Sequence, residues 1–442
     1  MFQSATSPIR CFSSASLPIE ASFDGPQLTS DGGLVWLAEA DAALGLCAAL
    51  ARAISDPRTG PVQYPLELLI RQRVFQIACG YEDQDDADSL RHDPLLKLAC
   101  GRLPSDPSLA SQPTFSRLEN AIDARMCYRL SLALLQIYLR TRGRAGTPDR
   151  IVLDFDGTDD PAHGKQEGIA YHGYYQRYMY HPLLVFDGDT GHPLTLVLRP
   201  GTAHAGRGAL AILKRLVRLL RRTWPDVVIE LRADSGFALP AIYTYCDGHG
   251  ITYTIGLGSS PRLEAMAAPL LAKAKEQRAE QGETVRLVAD GQYAADSWER
   301  ARRVVYKAEA LEKGPNTRFV VTNRQDAPDA VYTWYIQRGD RPESCIKDLK
   351  GGCAGDRLSD HRFWANQFRL LLSAAAYWLL DTVRRWLNRP SLPRMQFATL
   401  RLQVLKIGGW VRQRLDLVQL HLASSHPGEP LWQLLASRPD RR

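Results

Sequence analysis

Apolar residues recur at every third or fourth position through "LELLIRQRVFQIACG" and "MCYRLSLALLQIYLRTR", so residues 1 to about 150 are expected to be mostly helical. Between those stretches, "SLASQPTFSRLENAID" (108–123) predicts another helix, with Ser111 as its cap and Pro113 in its first turn. From 151 the period changes. "IVLDFDG" reads as a strand, and "QRYMYHPLLVFDGDTGHPLTLVLRPG" as two strands joined by the turn "DGDTG". "GRGALAILKRLVRLLRRTW" (206–224) is an amphipathic helix with Lys214, Arg215, Arg218, Arg221 and Arg222 on its polar side. "DVVIELRADSG" is a fourth strand, "PAIYTYCDGHG" a helix with a glycine stop, and "ITYTIGLG" a fifth strand. The element order is β-β-β-α-β-α-β.

After Gly258 that order is interrupted. Residues 259–330 begin with the charged helical stretch "LLAKAKEQRAEQ" and continue with the strand-like "TVRLVADGQY", "RARRVVYKAEAL" and "TRFVVTN". "YIQRGDRPESCIKDLKGG" (335–352) then opens a helix with Pro342 in its first turn, setting Glu343, Lys347 and Lys350 on one face. The run "LLLSAAAYWLL" (370–380) is too short to span a bilayer and reads as a buried helix.

A length of 442 residues suggests two or three domains. The net charge of +7 is moderate, but eight Arg or Lys and no acid fall between Arg384 and Arg414. Such a run suits a polyanion or an acidic partner, and reads equally well as a solvated basic face. As a DNA contact, it would make binding weaken with salt, and neutralising it would flatten that dependence. Eight cysteines without a C-x-x-C pair, and no His at zinc-finger spacing, argue against structural zinc and a secreted disulfide framework. A reduced, cytosolic setting is expected, and the N-terminus lacks the apolar core of a signal peptide.

Several acids stand at element ends. Asp154 and Asp156 share one face of the first strand, with Asp159 and Asp160 just beyond. Asp234 ends the fourth strand, and Glu343 opens the late helix. In folds with this order the first strand is central and the fourth pairs beside it, so Asp156 and Asp234 are expected to meet. Converging carboxylates with basic residues nearby can hold two Mg²⁺ ions about 3.5–4 Å apart for in-line phosphoryl transfer. Hard oxygen ligands and the absence of Cys/His clusters fit Mg²⁺. Singly, each acid also reads as an ordinary strand or helix end. On the 108–123 helix, Thr114, Ser116, Arg117 and Asn120 are able to touch phosphates or base edges. Taken alone, that segment reads better as a plain surface helix.

The chain resembles the DDE transposases of bacterial insertion sequences, in the branch with a Tyr-Arg-Glu-Lys signature. The matching segments run almost end to end: "LTSDGGLVWLAEAD", "QRVFQIACGYEDQDDADSLRHDP", "LASQPTFSRLEN", "DFDGTDDPAHGKQEG", "HGYYQRYMYHPLLVF", "LRADSGF", "RRVVYKAE", "NTRFVVTN", "YIQRG", "ESCIKDLK" and "ANQFRLLLSAAAYWLLDTVRR". The resemblance implies an α/β protein with an RNase H-like core and a β-rich insertion, preceded by a helical region that binds DNA ends. The corresponding division is 1–150 helical, 151–258 first part of the core, 259–330 insertion, 331–390 second part with the catalytic helix, and 391–442 basic C-terminal region. It makes Asp156, Asp234 and Glu343 the metal-binding triad for two Mg²⁺ ions, with Mn²⁺ as a substitute. Asp154 is an additional or alternative ligand on the same strand face. Tyr335, Arg338, Glu343 and Lys350 would be the signature, with Lys347 beside them, and its basic members would contact DNA phosphates near the cut. Four residues separate Arg338 from Glu343 where the family usually has three, so Arg341 is an alternative for part of the Arg338 role.

The implied activity is hydrolysis at the terminal inverted repeats, followed by attack of the freed 3′-hydroxyl on target DNA. The implied partners are double-stranded DNA and, to bring two ends together, a second copy of the chain; no membrane is involved. The setting is a bacterial cytoplasm at the nucleoid. Trp298 is a candidate to stack on a flipped base, although such a Trp is more often core. "LDFDGT" also satisfies the D-x-D-G-T motif of haloacid-dehalogenase-like phosphatases, with Asp154 as nucleophile and Asp156 as general acid. The later acid pair of those enzymes is not evident. A DNA-binding regulator without catalysis is the third reading, and it leaves the acids unexplained.

Overall fold

The computed structural model describes residues 9–11, 19–56, 58–339, 341–390 and 392–438; the side chains of residues 10, 11, 341 and 342 also lie outside the description. The chain divides into two compact units. One comprises Met1–Ala43, Gly60–Ser116 and Leu379–Arg442, and the other Leu44–Thr59 and Arg117–Trp378.

The second unit is built on one mixed sheet of eight strands. In chain order these are β1 (Arg150–Gly157), β2 (Leu183–Asp187), β3 (Pro193–Val197), β4 (Val228–Ala233), β5 (Thr252–Leu257), β6 (Val285–Tyr293), β7 (Arg302–Leu311) and β8 (Gly314–Thr322). Across the sheet the order is β6-β7-β8-β5-β4-β1-β2-β3. β4 lies parallel to both β1 and β5, whereas β2 runs antiparallel to β1. Five of the eight β1 positions are buried, as befits a central strand covered on both faces.

Besides the helix Leu46–Ala53, this unit contains α1 (Ala124–Gly143), α2 (Ala209–Thr223), α3 (Pro240–Gly248), α4 (Pro261–Gln281), α5 (Pro328–Ile336), α6 (Arg341–Lys347) and most of α7 (Phe363–Trp386). Counting only the strands of the large sheet, the order is β-β-β-α-β-α-β as expected, but three short strands, Asp160–Pro161, Ala170–His172 and Arg177–Tyr180, form a separate sheet between β1 and β2. α1 rests against the β2–β3 hairpin, where Tyr138 Oη donates to Asp187 Oδ2 at 3.0 Å. The 370–380 run lies wholly buried within α7, and the His192 ring stacks on Trp378 with centroids 4.3 Å apart.

The expected insertion, 259–330, supplies α4 and three strands of this same sheet. β8 pairs antiparallel with β5, from Thr254 opposite Thr322 to Leu257 opposite Phe319. Without β8, the outer edge of β5 would present unpaired backbone groups. The insertion therefore extends the core sheet.

In the first unit, Gly409–Gln413 pairs on one side with Val418–Leu422 and on the other with Leu28–Thr29. The expected basic C-terminal region thus shares a sheet with a segment near the N-terminus. Gly32 and Gly33 donate their amides to the carbonyls of Ile407 and Leu405. A Cβ on Gly33 would stand 2.3 Å from the Val404 oxygen, so glycine is required for this approach. Several members of the basic run are engaged within this unit: Arg384 and Arg385 with Asp381, Arg401 with the Ala78 carbonyl, and Lys406 with Asp31 at 2.8 Å. The seven described cysteines are buried thiols, and among the described residues no single helix is both long and apolar enough to cross a membrane.

Candidate active site

The site begins with register. Along the parallel pair β1–β4, Asp154 stands opposite Arg232 and Phe155 opposite Ala233. One further step of that register brings Asp156 and Asp234 side by side at the strand ends. Two positions apart on each strand, the inner pair and the outer pair share a face.

The inner pair is a closed ion pair. Arg232 donates through Nε and Nη2 to the two Asp154 carboxylate oxygens, each at 2.7 Å, and Asp154 is 1% exposed. A Cβ on Gly188 would stand 2.2 Å from Asp154 Oδ2, so that oxygen is crowded as well as paired. Arg232 also donates through Nη1 to the Trp334 carbonyl at 3.0 Å and lies over the Trp334 ring. Asp154 thus anchors α5 through Arg232. Each of its oxygens accepts from Arg232, unlike those of Asp156, which lie at the strand end.

The outer pair is open on one side. Asp234 ends β4 and caps the short 3₁₀ turn Ser235–Phe237, with Oδ1 accepting from the Gly236 amide at 2.7 Å. Its Oδ2 is left for Arg338, whose Nη2 lies 2.9 Å from Asp156 Oδ2 and 3.8 Å from Asp234 Oδ2. Burial pushes the Asp156 carboxyl up to about 6; Arg338 pulls it back down, while the like charge of Asp234 adds to the rise. The Arg338 pKa is raised above its ordinary value, because the charges around it, Asp156 foremost, outweigh burial.

Tyr335 sits on the last turn of α5, three residues before Arg338. A Cβ on Gly256 would stand 2.6 Å from Tyr335 Oη and 2.9 Å from the Ser235 amide nitrogen. Glycine at the end of β5 therefore lets Tyr335 approach the Asp234 turn. Lys350 donates to the Asp159 carbonyl at 2.8 Å and pairs with its carboxylate at 3.0 Å, on the segment that follows Asp156.

The structure thus gathers Asp156, Asp234, Arg338 and Tyr335, with Lys350 on the adjoining segment. Glu343 stands apart: its side chain is 63% exposed and pairs with Lys347 one turn along α6 at 3.3 Å. Among the described residues no group of three or more His, Cys, Asp or Glu is placed to hold a metal ion. The helix expected to open within 335–352, with Pro342 in its first turn, ends as α6 at Lys347 and continues as a π-helical turn, Asp348–Gly352. Arg341 begins α6, and its side chain lies outside the described residues.

Arg117 and Asn120 lie on the helix Gln112–Ala121, where the Asn120 carbonyl accepts from Arg362. Trp298 is half-buried, edge-on to Tyr243 and Tyr293 at 5.4 Å each. This packing accords with a core role.

Two features escape a reading that follows acids alone. Behind Asp156, His181 and Arg199 wedge the strand end: a Cβ on Gly157 would stand 2.9 Å from His181 Nε2, and Arg199 Nε donates to the His181 carbonyl at 2.7 Å. Burial lowers the Arg199 pKa to about 10. Beyond Asp159 a small hairpin, Ala170–His172 with Arg177–Tyr180, carries Tyr171, Tyr174 and Tyr178, all exposed, Tyr174 by 85%. The run "YHGYYQRYMY" was the available signal. Tyr175 lies within the field of Asp159, Asp156 and Asp234, although burial is the main cause of its raised pKa.

Two carboxylates converging on one guanidinium nitrogen fit the platform of a hard divalent cation, whose oxygen ligands they would supply. The architecture defines a mixed α/β protein with an acidic site at adjacent strand ends, bordered by an arginine and a tyrosine. The family model "Transposase DDE domain group 1" matches residues 13–440, and the chain belongs to that family. Among solved structures, a cryo-EM structure of a piggyBac transposase synaptic complex with hairpin DNA is similar over 85% of this chain and 80% of that one, at 10% identity and a TM-score of 0.42. No curated protein sequence matches.

Proposed function

We propose that the chain is an insertion-sequence transposase with an RNase H-like core that cuts DNA at the terminal repeats of its element and joins the 3′-hydroxyl ends to target DNA. The observation that carries this reading is the placement of Asp156 and Asp234 side by side beneath Arg338, in a chain of the DDE transposase family. Asp156 and Asp234 would hold divalent metal, Mg²⁺ or Mn²⁺. Such an ion, when bound, supplies activation of the attacking oxygen and neutralisation of charge on the phosphodiester.

The chain's own residues do the remainder. Arg338 holds the two carboxylates together, and its forked donors are suited to transfer to a phosphodiester oxygen when DNA enters. Tyr335 borders the same space, and Lys350 braces the segment after Asp156. Glu343 is the proposed third carboxylate. In this reading it exchanges Lys347 for the aspartate pair when DNA is bound, and two copies act together on two ends.

Strand joining tests the proposal. A duplex with a recessed 3′-hydroxyl end of the element is incubated with supercoiled plasmid and Mg²⁺. The wild-type protein should attach the oligonucleotide to the plasmid. Asp156→Asn and Asp234→Asn should give no product while still binding the duplex. Joining by either variant at the wild-type rate would remove its aspartate from the mechanism.

A further inference from the structure

We propose that the exposed face of α2, together with α3, is a second nucleic-acid surface that grips the phosphate backbone of target DNA without reading its sequence. The proposal rests on the transposase reading above and adds a site to it. Leu213, Leu216, Val217 and Leu220 are buried on the inner side of α2, while Lys214, Arg218 and Arg222 are exposed. No acid occurs anywhere in Ala209–Thr223, so like charges face one another at i, i+4 with nothing on the helix to offset them. Arg215 is used otherwise, lying over the Tyr128 ring at 4.3 Å.

A cavity of about 430 Å³ opens on this face, lined by Lys214, Val217, Arg218, Arg221, Tyr245 and His249. No carboxylate lines it. Lys214 lies over the Tyr245 ring at 5.4 Å, the His249 ring sits 4.0 Å from that of Tyr245, and Arg221 donates to the His249 carbonyl at 2.6 Å. Asp247, the nearest acid on α3, is engaged by Arg300 and Arg302. Lys214, Arg218 and Arg221 therefore keep their charge for an external anion.

Their spacing decides which anion. Seven residues of helix span about 10 Å, close to three base steps along a duplex. A single phosphate would engage only part of that row. Cations in a row along one exposed helix face, with no Asn or Gln beside them to read adenine, suit contacts along the phosphate backbone.

The test is the salt dependence of binding to a fluorescent random-sequence duplex, measured by anisotropy. Lys214→Gln with Arg218→Gln removes two exposed charges, and Lys273→Gln with Lys275→Gln on α4 is the charge-matched control. The slope of log affinity against log salt should fall by about two for the α2 variant. Its affinity at moderate salt should drop roughly tenfold, while the control stays near wild type and both variants unfold at the wild-type temperature. An unchanged α2 slope, or an equal loss in the control, overturns the proposal and leaves the strand-joining chemistry untouched. Preference of the wild type for phosphatidylserine vesicles over DNA also overturns it. Failure of the wild type to bind any duplex would overturn the transposase reading as well.

Discussion

Two positions of β1 separate an aspartate whose oxygens are both held by Arg232 from one that faces the mouth of the sheet. Removing one partner of a buried ion pair leaves an uncompensated charge and typically costs about 3–5 kcal/mol. Asp154→Ala is therefore expected to lower unfolding stability by roughly that amount in urea titrations. Asp156→Asn should leave stability close to wild type, because its charge is already disfavoured by burial. If Asp154→Ala is as stable as Asp156→Asn, the division between anchor and site is wrong. Asp160 gives a pH prediction. It is 1% exposed, neither of its oxygens has a hydrogen-bond partner among the described residues, and burial, with Asp356 adding, raises its carboxyl to about 8. A folded-state pKa above the unfolded value means the native state holds the proton longer. This contribution is thus fully present below pH about 4 and is lost as pH rises toward 8. Asp160→Asn should stabilise the protein at pH 8 by on the order of a few kcal/mol relative to pH 5. Parallel melting curves for both proteins across that range would contradict it.

At the scale of elements, the strand and helix order was legible because each buried strand of the core is a short apolar run with a turn signal behind it. The pairing of Asp156 with Asp234 was legible too, since "LDFDG" and "LRADSG" place an acid at the same point past a buried strand. The role of Asp154 was not. It depends on Arg232, 78 residues away, and is seen only when the two strands are set in parallel register. The π turn after Lys347 and the outward pose of Glu343 also escape a periodicity argument, which assumes a regular helix through 352. Trp298 packs against two tyrosines, whereas the hairpin 170–180 exposes three tyrosines, Tyr171, Tyr174 and Tyr178, close to the segment after Asp156. That hairpin is the better candidate to stack on bases at an opened DNA end. Tyr174→Ala is expected to weaken binding to a duplex with an unpaired end by about tenfold, and to leave a fully paired duplex within about twofold. Equal losses on both substrates would assign Tyr174 to general affinity.

For the molecule as a whole, basic charge is concentrated in more than one place. The run Arg384–Arg414 reads equally as a polyanion surface and as a solvated face, and four of its eight basic residues, Arg384, Arg385, Arg401 and Lys406, serve contacts within their own unit. A further basic face, without an acid on its helix, lies on α2 in the unit that also carries the carboxylates. That unit therefore holds a candidate catalytic site and a candidate backbone grip. The most direct measurement is cleavage of a labelled duplex bearing the element's terminal repeat, with Mg²⁺ or with EDTA, by wild type, Asp156→Asn, Asp234→Asn and Glu343→Gln. The account predicts Mg²⁺-dependent nicking at the repeat end, at least a thousandfold slower in all three variants (roughly the scale of losing a group that acts in the transition state), with duplex binding retained. Wild-type nicking by Asp156→Asn or Asp234→Asn, or wild-type cleavage in EDTA, would contradict it.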